Sequence, residues 1–125
     1  MLQKLRIKIL SDPHIDINKD YLKDIFRNNN QNFDVALVAG DIAGHPDDIK
    51  TFFKTYFPDK VVYFIRGNHD WVYYPWNDKQ QANINYGIKQ LKKIFPKTRG
   101  KYHMLEDDYV ELAPGLFLIG STFYT

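Results

Sequence analysis

Three short polar signatures carry the residues of this chain that could do chemistry: Asp12-Pro13-His14, Gly40-Asp41 and Gly67-Asn68-His69-Asp70. Asp41 lies 27 residues after His14, and Asn68 lies 27 after Asp41. Carboxylate oxygens, imidazole nitrogens and a carboxamide oxygen are donors that bind divalent metals. Asp12 and His14, two positions apart in a turn, can present an oxygen and a nitrogen to one ion. Asp41 follows a glycine that lets the backbone bend sharply. Its two carboxylate oxygens can bridge a pair of ions, which in two-metal sites lie about 3.5–4 Å apart. Asn68 offers a neutral oxygen to the second ion, and His69 beside it is placed to donate a proton. Taken singly, an Asp-x-His is common and a Gly-Asp after a strand is usually a turn. All three in order, each after an apolar run, point to metal-assisted phosphoester chemistry.

The elements that must position these residues are legible in the apolar pattern. Leu5 to Leu10 alternates apolar and basic residues and predicts a first strand ended by Ser11-Asp12-Pro13. Tyr21, Leu22, Ile25 and Phe26 have helical spacing, with Asn18 as N-cap. Val35 to Ala39 is a short continuous apolar run, as a strand covered on both faces should be. Pro46-Asp47-Asp48 starts a helix continued by Ile49, Phe52, Phe53 and Tyr56 and closed by Pro58. Val61 to Ile65 predicts a further strand, and Gln80 to Phe95 a helix with Ile84, Ile88, Leu91 and Phe95 on one face. Tyr109 to Leu112 and Leu116 to Ile119 flank Ala113-Pro114-Gly115 and predict a hairpin. The predicted order is β-α-β-α-β-α-β-β, which implies an α/β fold with a largely parallel sheet. Ligands of such sheets bind beyond the carboxyl ends of the strands, where Asp12, Asp41 and Asn68 fall.

Composition narrows the function further. The 125 residues, 44% apolar and 26% charged, suit one globular domain. The net charge of +2 carries no nucleic-acid-binding signature, and Lys89, Lys92 and Lys93 have the spacing of a solvated helix face. The absence of cysteine excludes thiolate metal sites and disulfides. Met1 to Leu10 lacks the apolar core of a signal peptide, and no run approaches the ~20 apolar residues of a membrane helix. A cytoplasmic protein that does not engage the membrane is the expectation.

Asp12-x-His14, Gly40-Asp41 and Gly67-Asn68-His69-Asp70 resemble the first three motifs of the calcineurin-like metallophosphoesterases. The resemblance covers essentially the whole chain. It implies a four-layer α/β/β/α sandwich in the complete fold, of which residues 1–125 would be the N-terminal βαβαβ half plus a β-hairpin. It also implies a two-metal phosphoesterase acting on phosphomonoesters or phosphodiesters, with Mn²⁺, Fe or Zn²⁺ as the usual ions. By motif match Asp12 and His14 would bind the first metal, Asp41 would bridge, Asn68 would bind the second, and His69 would assist the leaving group. A metal-bound hydroxide would attack phosphorus in line. Asp70, His45 and Arg66 are candidates for supporting or substrate contacts. For His45 a plain loop role is the alternative, and for Arg66 a surface ion pair. His103 reads as structural. Trp71, Tyr73, Tyr74 and Trp76 could wall a substrate pocket or pack under the loop.

Two departures qualify the resemblance. The protein-phosphatase branch carries an Asp and an Arg shortly after Gly-Asp, whereas here Ile42-Ala43-Gly44-His45 follows, which argues against that branch. The family also has histidine ligands in its second half, including a Gly-His-x-His motif. This chain has four histidines, and neither His45 nor His103 sits in such a motif. Gly120 to Thr125 resembles the passage from first half to second. The expectation is therefore a domain truncated at its C-terminus, with an exposed apolar sheet face covered by self-association or by a complementing C-terminal half. The alternative function is a catalytically inactive fragment or interaction module on the same scaffold.

Overall fold

The computed structural model describes residues 4–15, 20, 23, 32–67 and 80–122, with side chains of the last segment described from Gly87 onward. Tyr21, Leu22, Ile25 and Phe26 of the predicted helix, and residues 68–79 with their four aromatic side chains, lie outside the described residues. Four strands form one parallel sheet in the order β1 (Ile7–Ser11), β2 (Val35–Ala39), β3 (Val61–Ile65) and β4 (Tyr102–Met104). The helices α1 (Pro46–Tyr56) and α2 (Gln80–Ile94) connect β2 to β3 and β3 to β4. The strands β5 (Asp108–Ala113) and β6 (Leu116–Gly120) pair antiparallel as a separate hairpin.

Alternation along each strand divides the sheet into two unlike faces. On one face Ala36, Val62 and Tyr102 lie in register, as do Val38, Phe64 and Met104. This is the face on which the core is built, because α1 adds Ile49, Phe52 and Phe53, all buried. Leu91 of α2 and Phe95, just beyond it, complete the layer. The aromatic rings interlock edge to face: Phe64 meets Phe95 at 5.0 Å and 89°, and Phe53 meets Phe64 at 5.2 Å. Such pairs add to the area they bury. The helix α1 begins at His45, whose Nδ1 accepts from the backbone N–H of Asp47, with Pro46 in the first turn and Asp47 and Asp48 near the positive end of the helix dipole.

The other face differs. Ile9, in register with Leu37 and through it with Tyr63, is 72% exposed. The hairpin flanks this face and leaves a groove of about 200 Å³ lined by Ile9, Leu37, Tyr63, Ile65, Leu118 and Ile119, among others. Ile119 is 76% exposed and Phe117 55%. The fold is thus a mixed α/β arrangement with one well-packed sheet face and one open apolar face.

The structure departs from the sequence expectation at two elements, the first strand and an additional fourth one. The first strand starts at Ile7, not Leu5, and ends at Ser11. The hairpin strands, as expected, form an antiparallel pair of their own beside the parallel sheet. The fourth parallel strand, Tyr102–Met104, was not expected: three residues without a β-branched side chain give no periodicity. It forms because β3 supplies a register, Val62 to Tyr102 and Phe64 to Met104, and because the Leu105 N–H donates to the Phe64 carbonyl at 2.9 Å.

Candidate metal centre

The site begins where β1 and β2 stop. Their register ends at Ser11 opposite Ala39. Backbone hydrogen bonds then continue between the two loops: Asp12 N–H donates to the Gly40 carbonyl at 3.2 Å, His14 N–H to Asp41 at 3.0 Å, and Ile15 N–H to Ile42 at 3.0 Å. This zipper brings Asp12 and His14 beside Asp41. Apolar anchors hold both loops from below, since Pro13, Ile42 and Ala43 are buried. Ile42 and Ala43, the two residues after Asp41, root its loop in the core.

One donor atom from each of Asp12, His14 and Asp41 lies within 4.8 Å of the others. His14 Nε2 is 3.9 Å from Asp41 Oδ2. Two donors each about 2.1 Å from one ion stand at most ~4.2 Å apart, so this pair is within reach of a shared ion. The donor chemistry also fits, because two carboxylates and an imidazole suit Mn²⁺, Fe and Zn²⁺ alike. All three residues have left-handed backbone: φ is 49° at Asp12, 42° at His14 and 50° at Asp41. That conformation is uncommon outside glycine, although Asp and His adopt it more readily than most. Three of the five such non-glycine residues among those described fall in this cluster, which places backbone strain at the site.

A third loop approaches from β3. Gly40, itself left-handed at φ 74°, would place a Cβ 3.1 Å from the Gly67 backbone. A Cβ on Gly67 would overlap both Oδ1 and the backbone N of Asp41 and come 2.6 Å from its Cγ. The Asp41 carboxylate therefore rests against the bare backbone of Gly67. The following residues Asn68, His69 and Asp70 lie outside the described residues. Sequence reasoning missed this role of Gly67. The signal was present as its position before Asn68, yet nothing in the pattern said which side chain it makes room for.

The supporting candidates separate clearly. His45 is the N-cap of α1 rather than a plain loop residue. Arg66 does form an ion pair, but a buried one, with Nε 3.3 Å from Oε2 of Glu106 and side chains only 7% and 12% exposed. It is not the surface pair that the sequence allowed. His103 stacks on Tyr63 at 4.9 Å, and its Nδ1 lies 2.7 Å from the Pro96 carbonyl, a structural role as expected.

An Asp–His–Asp cluster beyond the carboxyl ends of parallel strands marks an α/β protein with the donors of a divalent-metal centre. Comparison with known families is specific: the model of the calcineurin-like phosphoesterases matches residues 5–121. The chain belongs to that family of metal-dependent phosphoesterases. No curated protein and no solved structure gives a significant match to it. Among the described residues no helix is long and apolar enough to cross a membrane.

Proposed function

We propose that this chain contributes the first half of a two-metal phosphoesterase site that hydrolyses phosphomonoesters or phosphodiesters. The observation that carries this reading is the convergence of Asp12, His14 and Asp41 on one point. Asp12 and His14 would hold a first ion, Asp41 would be shared, and Asn68 would offer its carboxamide oxygen to a second. Divalent ions, when bound, supply Lewis acidity that acidifies a coordinated water and neutralises charge on the phosphoryl oxygens. Of the chain's own groups, His69 holds a proton for the leaving-group oxygen. Arg66 is spent on Glu106 and is a poor candidate for touching phosphate. Manganese is the ion to try first, and the cytoplasm is the compartment the sequence favours.

The open sheet face supports a second element of the reading. Ile9, Phe117 and Ile119 are exposed on strands flanking one apolar groove. A complementing C-terminal half that adds a second sheet is the occupant the family's sandwich predicts. The same exposed face favours the alternative, an interaction module on this scaffold without catalysis. Metal stoichiometry decides between them. After incubation with Mn²⁺ and desalting, elemental mass spectrometry that finds close to two ions per chain supports the enzyme. Absence of bound metal, alone and with a C-terminal half added, sinks it. Hydrolysis of p-nitrophenyl phosphate against its bis ester then separates monoesterase from diesterase.

A further inference from the structure

Arg66 stands between β3 and Gly67, yet it is only 6% exposed. Its Nη2 donates to Oε1 of Glu106 at 3.4 Å, and its Nε is ion-paired with Oε2 at 3.3 Å but outside hydrogen-bond geometry. Thr122 reaches the same place from beyond β6. Its hydroxyl donates to the Arg66 carbonyl at 2.6 Å and lies 3.5 Å from Oε2 of Glu106. Beside it the Ser121 hydroxyl donates to the Asp107 carboxylate. The two residues before β5 and the two after β6 are thus tied together at the open end of the hairpin, and Arg66 is held there by both side chain and backbone.

A buried ion pair is poor ground for stability, because desolvation offsets much of the attraction. Its placement has a better reason in its neighbour. Fixing the Arg66 side chain and carbonyl fixes where the Gly67 backbone meets the Asp41 carboxylate. We infer that Arg66, Glu106 and Thr122 form a clasp through which the β5–β6 hairpin positions Asp41 for divalent metal. They are positioning residues and not ligands. The inference rests on the reading of Asp12, His14 and Asp41 as a metal site.

The test is Mn²⁺ titration by calorimetry, alongside thermal unfolding of the metal-free protein. Thr122→Val removes the hydroxyl at nearly constant shape, and Thr122→Ser keeps it. The double variant Arg66→Met with Glu106→Leu replaces the ion pair by apolar groups of similar volume, which buried pairs often tolerate. Thr122→Val and the double variant should each weaken Mn²⁺ binding about tenfold or more, the usual effect of losing an outer partner of a metal site. Thr122→Ser should restore it, and the unfolding midpoint should move by no more than a few degrees. Wild-type affinity in both altered proteins overturns the clasp, as does a loss of affinity that only tracks lost stability. Should the double variant fail to fold, Thr122→Val decides alone. A wild-type protein that takes up no Mn²⁺ overturns the metal reading itself, and the clasp with it.

Discussion

The carboxylate of Asp41 lies against the backbone of Gly67, so closely that a methyl group there would overlap Oδ1. Gly67 has no left-handed φ, so alanine at this position is not excluded by its own backbone. The added methyl would instead meet both the carboxylate and the backbone N of Asp41, so the Gly67 and Asp41 loops must shift apart. Gly67→Ala should leave the far-ultraviolet circular dichroism unchanged and reduce Mn²⁺ affinity by about 10–100-fold, as loss of ligand orientation does. Equal Mn²⁺ binding by Gly67→Ala and wild type would show that the Asp41 loop can shift without cost to the site.

The role proposed for His69 is proton donation, not metal binding. Removing a general acid typically lowers turnover by about 10²–10⁴-fold. His69→Ala should show that loss in the phosphoesterase assay while elemental analysis finds the same metal content as in the wild type. Metal lost together with activity would make His69 a ligand or a structural support.

The core prediction concerns the layer that carries the site. Phe64 sits on β3, two residues before Arg66, and its ring packs on Phe53 and Phe95. Truncating a buried phenylalanine costs about 3–5 kcal/mol, against a total domain stability of roughly 5–15 kcal/mol. Phe64→Ala should lower the denaturant midpoint sharply. A midpoint close to wild type would mean that this aromatic layer collapses around the gap.

Much of this arrangement was legible in the sequence because its causes are local. Val35 to Ala39 and Val61 to Ile65 are uninterrupted apolar runs, and the observed strands have those bounds. Pro46-Asp47-Asp48 marks the start of α1. The proximity of Asp12, His14 and Asp41 followed from strand-end placement in a parallel sheet. What escaped were features that depend on partners distant in sequence. Tyr102–Met104 becomes a strand only beside β3. Arg66 is buried against Glu106, forty residues on. The left-handed backbone at Asp12, His14 and Asp41 is set by the zipper between two loops, which no single window contains.

The hairpin supplies a pH-dependent contact. Lys97 donates to the Asp108 carboxylate at 2.8 Å, and with the Tyr109 N–H this holds the Asp108 carboxyl below its ordinary value of 3.8. A carboxyl lowered in the folded state contributes stability above its unfolded pKa and loses it as pH falls through the folded value. The side chains are 35% and 36% exposed, so solvent screening limits the contribution to on the order of 1 kcal/mol or less. Asp108→Asn should therefore be slightly less stable than wild type at about pH 7, and the gap should close as the pH falls below the ordinary value of 3.8 and through the lowered folded value. A gap that stays constant across that range would assign the effect to packing and not to charge.

The open apolar face gives the last prediction. Ile9 on β1 and Ile119 on β6 both border the groove and are the two most exposed of the large apolar residues described. Single exposed apolar residues are ordinary, but a contiguous apolar patch marks an interaction surface. Ile119→Lys costs little burial within this chain, so its fold should be retained by circular dichroism. If a second sheet covers this face, the lysine must be desolvated there, and association with an added C-terminal half should weaken by at least about tenfold, roughly 1.4 kcal/mol. Light scattering of this chain alone separates the other occupant: a mass above that of the monomer, returned to the monomer value by Ile119→Lys, identifies a second copy on the same face. A wild-type chain that stays monomeric at high concentration, and binds a C-terminal half equally well with or without the lysine, would show that the strip is ordinary exposed surface.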